Sequence, residues 1–275
     1  MRGRRTRVLS IFFVAAMALG LVLLQSGPKA PWAPEFATPV GVRLKDGSVS
    51  LENLRDFVWT RRGLHEQFID ITVDPRTLES LWLLVSPLSA KNRGPAHLML
   101  SFGFADGTFL TVSAEARRRT GEPYSVWRGL QRRYRLGYIV STERDAITLR
   151  TEGRGAAVYL YPVRATPVSI QRLFQMMLIR AESLEARPEF YNTLWNNCAQ
   201  NIRRHVNTLG GAPFRRSWRF ILPGFLDQEA VSRGLLNLPG PLAEVREQFR
   251  IHPETVDPLD PLFSQKIRQG LGARP

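Results

Sequence analysis

"AHLMLSFGFADGTFLTVSAE", residues 96–115, decides how this chain folds. Two runs of alternating apolar and polar residues flank a short loop that ends in Asp106-Gly107, which is the pattern of a β-hairpin. If Ala105-Asp106-Gly107 forms the loop with Gly107 in the left-handed conformation, Phe104 pairs with Thr108. Counting outward, His97 then faces Glu115, and facing side chains have Cβ atoms about 5 Å apart. A two-residue loop would set His97 opposite Ala116 instead. Met99, Ser101, Thr111 and Ser113 share the His97 face.

Outward from this hairpin the first half of the chain continues as strands. "QFIDITVD" alternates, "ESLWLLVSP" is a buried apolar run, and "YRLGYIVST", "AITLR" and "AAVYLYPV" follow on the other side. The second half has helical spacing. Thr166-Pro167 is a cap followed by proline at the first helical position, ahead of "VSIQRLFQMMLIRAESLEA". "CAQNIRRHVNTLG" reads as a helix ended by Gly210-Gly211. Further helices are expected around residues 226–235, 241–249 and 261–270. Strands first and helices later give an α+β protein, an antiparallel sheet packed against helices.

The composition supports a packed core, with 44% hydrophobic and 23% charged residues in a chain of 275. The formal charge is +14. Residues 1–30 carry five basic residues and no acid, which leaves 33 basic against 24 acidic residues for the rest. A basic surface suits phosphate-bearing lipid, an anionic envelope polymer or nucleic acid. No zinc-finger spacing, Gly-rich phosphate loop or aromatic RNA-binding signature supports nucleic acid, and none is expected as a partner.

The N-terminus begins "MRGRRTR" and continues as an uncharged apolar run from Val8 to about Leu24. That run is near the short limit for a spanning helix, and the basic residues before it hold the N-terminus in the cytoplasm. No small-x-small cleavage site follows, which favours an uncleaved anchor crossing the membrane through residues 8–25. The stretch Ser26–Pro39 is proline-rich and reads as a tether. The chain divides into an anchor or signal segment (1–27), a tether (28–48) and one exported domain (49–275).

Export makes the single cysteine, Cys198, informative, because the chain offers it no disulfide partner. Asn196 or Asn197 can cap the helix it opens. A first-turn thiol feels the positive end of the helix, which lowers its pKa, and the free N–H groups there could hold an oxyanion. A thiolate nucleophile also needs an imidazole. His205, seven residues along the same helix, is about 10 Å away. His65 lies in a polar stretch and His252 in a C-terminal loop. His97 lies inside a strand, with Glu115 to orient it. Cys198, His97 and Glu115 are the candidate catalytic residues, supported by Asn197, Asn196 and Ser113. One cysteine and four scattered histidines show no metal-ligand spacing, and no cofactor is expected.

From about residue 50 onward the chain resembles the bacterial Lnb N-terminal periplasmic domain family. The stretches that carry the resemblance are "NLRDFVW", "HLMLSFGFADGTFLTVSAEARRRTGEPYS", "YIVSTERDAITLRT", "VYLYP", "FYNTLWNNCAQNIRRH" and "LPGFLDQEAVSRGLL". The family's usual wording after the cysteine is nearer "NNCTT"; Ala199 and Gln200 replace two hydroxyls here. The resemblance implies a bacterial periplasmic domain, and with the anchor read from residues 8–25 the expectation is a single-pass protein of the inner membrane with its C-terminal domain in the periplasm. The element order, a strand His followed much later by "NC" opening a helix, is also similar to permuted NlpC-like, papain-like thiol enzymes. That likeness implies a membrane-anchored periplasmic thiol hydrolase or acyltransferase acting on an amide or ester of the envelope: a peptide, a lipid or an exported protein. The alternative is a non-catalytic envelope binding or assembly-factor domain of the same fold.

Overall fold

The structure, a computed structural model, describes residues 30–252, 255–269 and 271. The apolar run Val8–Leu24 lies outside these residues. Among the described residues no helix is long and apolar enough to cross a membrane.

The strands are β1 (Gly41–Lys45), β2 (Ser48–Arg55), β3 (Val58–Thr60), β4 (Gly63–His65), β5 (Phe68–Val73), β6 (Leu78–Pro87), β7 (Ala96–Phe104), β8 (Phe109–Arg117), β9 (Arg135–Thr142) and β10 (Tyr159–Val163). Eight of them form one sheet in the order β1-β2-β9-β8-β7-β6-β10, with β5 on β2, and β3 and β4 pair separately. The principal helices are α1 (Pro34–Ala37), α2 (Val126–Leu130), α3 (Glu143–Thr151), α4 (Pro167–Ala186), α5 (Cys198–Asn207) and α6 (Leu226–Ser232). The α+β class holds, but the sheet is mixed rather than wholly antiparallel, because β2 meets β9 in parallel at Arg55↔Ser141.

Helices cover both faces of the sheet's centre. Ile170, Leu173, Phe174, Met177 and Leu178, spaced three and four apart on α4, pack with Leu98, Leu100 and Phe102 of β7. On the opposite face Met99, Trp82 and Leu84 pack with Ala146 and Ile147 of α3 and with Phe263 and Ile267 near the C-terminus. Every residue of β7 is buried for that reason, including the alternating polar ones.

Two sequence expectations change here. "AITLR" is helical, not a strand. Thr142 accepts a hydrogen bond from Asp145 N at 3.4 Å, and Glu143 and Asp145 stand in the first turn, so capping and charge outweigh a five-residue apolar pattern. The tether segment is docked from Ala30 onward, so the folded unit starts before residue 49. Trp32 bridges Arg119, the Arg117 and Arg119 guanidinium groups lie 4.4 and 3.8 Å from its ring centre, and Phe36 is buried. The cation–π contacts and the apolar burial hold this proline-rich stretch against β8.

Candidate functional site

The hairpin takes the register expected from a three-residue loop. Phe104 N donates to Thr108 O at 2.9 Å, and Gly107 has φ +85°. That register makes Leu98 and Ala114 a hydrogen-bonded pair and His97 and Glu115 a non-bonded one. The ladder stops earlier, at Leu100↔Val112. Beyond it, the ends of β7 and β8 part around a cavity of about 330 Å³ lined by Ala96, His97, Ala114, Glu115, Arg150 and Cys198, among others.

Cys198 begins α5 and is 3% exposed. Its sulfur accepts from the Leu98 N–H that the broken ladder leaves free, and from Ala199 N–H. Asn197 caps the helix: its Oδ1 accepts from Gln200 N at 2.8 Å, and its Nδ2 donates to Thr193 O and Phe220 O, both at 2.8 Å. With both amide hydrogens occupied, Asn197 shapes the turn rather than donating into the cavity. Asn196 sits in the preceding loop, donating to Phe190 O at 2.9 Å and accepting from Arg204 Nη1 at 2.7 Å, away from the cavity lining. Asn197→Ala should lower stability by roughly 2–4 kcal/mol, a lost cap plus two buried carbonyls left without donors, measurable by urea unfolding.

His97 Nε2 stands 3.0 Å from Glu115 Oε1, off the line of a hydrogen bond. Ser113 Oγ donates to the same oxygen at 3.2 Å. Arg150, 2% exposed on α3, forms a short ion pair with Glu115. Burial would raise the Glu115 carboxyl, but the Arg150 guanidinium and then His97 hold it well below the usual carboxylate range. Burial lowers His97 below the usual imidazole value, against the pull of Glu115. The resting site therefore holds an anionic Glu115, a cationic Arg150 and a neutral His97. The reading of the residues missed Arg150, because "AITLR" taken as a strand gave its charge no direction.

The helix start does not produce a thiolate. Burial pushes the Cys198 thiol up to about 11, and the two N–H donors only moderate that. The linkage sign follows. Above pH 9 the unfolded chain releases the thiol proton while the folded chain keeps it, so stability falls between about pH 9 and 11. A loss of roughly 2–3 kcal/mol across that window is expected, absent in Cys198→Ala, and read from melting temperature against pH.

The other histidines lie elsewhere. His205 Nε2 is 2.9 Å from Tyr138 OH, and burial lowers its pKa to about 4. His65 and His252 are exposed. Among the described residues, no three His, Cys, Asp or Glu side chains gather as a metal ion would require.

The sequence model of the Lnb N-terminal periplasmic domain family matches residues 65–224, which is more than half of the chain. The chain belongs to that family. The matched span runs from the end of β4 past α5, so it includes the hairpin, α3 and the cysteine loop of this Lnb N-terminal domain. No curated protein and no solved structure matches the chain.

Proposed function

We propose that this Lnb N-terminal domain is a membrane-anchored periplasmic thiol enzyme, a hydrolase or acyltransferase, with Cys198 as nucleophile, His97 as base and Glu115 as its orienter. One observation carries the reading: the chain's single thiol, on a capped helix start, lines the same cavity as His97 and its carboxylate. A carboxylate beside Nε2 favours the neutral tautomer with its proton there, leaving a lone pair on Nδ1. The thiol proton passes to Nδ1 as the sulfur attacks an ester or amide carbonyl. The C–S bond forms and the carbonyl electron pair moves to oxygen, facing the N–H groups at the start of α5. Collapse expels the alcohol or amine, which takes the proton from Nδ1. Water or an acceptor then releases the acyl group from sulfur. On this reading the arrangement corresponds to the permuted NlpC-like order of a strand His and a helix-start Cys.

The test is intact-mass measurement after exposure to p-nitrophenyl esters of graded chain length. A single acyl adduct that Cys198→Ala abolishes is the expected result. No adduct from any ester, with the cavity open to small thiol reagents, sinks the proposal.

A second reading has its own support in the raised thiol pKa and the apolar neighbours of Cys198, Ala96, Leu98 and Ala114. Under it the domain binds or assembles envelope components and the thiol is a packing group. Cys198→Ala would then retain full function in cells, whereas the enzymatic reading requires its loss.

A further inference from the structure

Three segments meet at the start of α5, and each exposes a tryptophan. Thr193 Oγ1 donates to Val126 O at 3.1 Å, joining the cysteine loop to α2. Asn197 Nδ2 joins the same loop to Phe220 O at 2.8 Å. On α2, Trp127 is 73% exposed; in the loop, Trp195 is 55% exposed; two residues before Phe220, Trp218 is 51% exposed. Val126 and Ile221 are exposed beside them. Large apolar groups clustered in water mark a surface that is covered in use.

The charge of these segments narrows what covers them. Residues 123–142 and 190–226 contain no Asp or Glu, and together they carry nine arginines. Arg132, Arg133, Arg204, Arg215 and Arg216 are exposed. The acids that border these segments are already engaged, Glu122 with Arg128, Glu229 with Arg219 and Glu189 with Arg180. Tryptophan mixed with arginine in such excess suits the headgroup level of an anionic bilayer, where indoles are amphipathic anchors and basic residues meet phosphate.

The course of the chain agrees. The first described residues leave the domain at this end: Thr120 N donates to Pro31 O at 2.9 Å and Arg119 Nη1 to Ala30 O at 2.8 Å. Only a few residues separate Ala30 from the end of the apolar run at Leu24. Even fully extended, that stretch reaches only about 20 Å.

We infer that the Trp127–Trp195–Trp218 surface docks on the outer face of the membrane that holds the N-terminal run, seating the Cys198 end of the domain against anionic phospholipid headgroups. The inference rests on the reading of Val8–Leu24 as an anchor and is independent of thiol chemistry.

The full chain is reconstituted into vesicles of mixed phosphatidylglycerol and phosphatidylcholine carrying brominated acyl chains, and tryptophan quenching is recorded. Wild type should be quenched at least twofold more than Trp127→Ser/Trp195→Ser/Trp218→Ser. The excess should shrink in pure phosphatidylcholine and in Arg132→Gln/Arg133→Gln/Arg215→Gln/Arg216→Gln. Circular dichroism checks that each variant folds. Equal quenching of wild type and the triple variant, in vesicles that carry the protein on flotation, overturns the docking surface. Failure to float overturns the anchor and the inference with it. Wild-type indoles as open to acrylamide in the mixed vesicles as in pure phosphatidylcholine vesicles would also overturn it and favour a protein partner for the patch.

Discussion

Arg150→Met should lower the unfolding free energy by roughly 3–5 kcal/mol, the largest stability loss expected of any single change at this site. Arg150 and Glu115 are both almost wholly shielded from water, at 2% and 8% exposure. Deleting the guanidinium leaves a carboxylate with a neutral imidazole and a hydroxyl beside it, and with Arg118, which Glu35 already engages, as the remaining cation. The carboxyl should then take up a proton well above its present, depressed range. Glu115→Gln/Arg150→Met removes both charges and should recover much of the loss, so the double variant separates an unpaired charge from a simple packing defect. Acid acts on the same pair. The Glu115 carboxyl is depressed in the fold, so its contribution is present above about pH 4 and is lost as pH falls toward the folded value. Melting temperature against pH should show this loss in wild type and not in the double variant.

His97→Ala should slow acylation of Cys198 by about 10²–10⁴-fold while the domain stays folded. With the thiol pushed up to about 11, roughly one molecule in a thousand carries a thiolate at pH 8. The reaction therefore depends on proton transfer during attack, and the base is worth more here than beside a preformed thiolate. The pH profile is the discriminating readout. Wild-type acylation should plateau once His97 is neutral, whereas His97→Ala should climb tenfold per pH unit toward 11, following the bare thiol. Parallel profiles for the two proteins would remove His97 from the base role. Stopped-flow release of p-nitrophenol measures both.

The register was legible because it rests on local chemistry. Asp106-Gly107 fixes the loop, the loop fixes Phe104 against Thr108, and a period of two carries His97 to Glu115. The cap at Thr166 was equally local, since a hydroxyl followed by proline defines a helix start wherever it occurs. Three other features depended on tertiary packing. "AITLR" is too short for its period to separate strand from helix, and only the Thr142 and Asp145 pairing at its start resolves it. The pKa of Cys198 depends on depth, and a helix position states direction without depth. The docking of residues 30–37 depends on Arg117 and Arg119 some eighty positions away, which proline content does not report.

That docked segment has a mechanical consequence. Ala33 N donates to Arg118 O at 3.1 Å and Thr120 N to Pro31 O at 2.9 Å, a short antiparallel clasp onto the chain just past β8. Any pull on the chain upstream of Ala30 is therefore delivered first to this clasp, and from there to the strand that carries Glu115. While the clasp holds, the leash and the cavity wall are one load path; once it opens, the load passes along residues 34–40 to β1 at the edge of the sheet, and the strand that carries Glu115 is released from it.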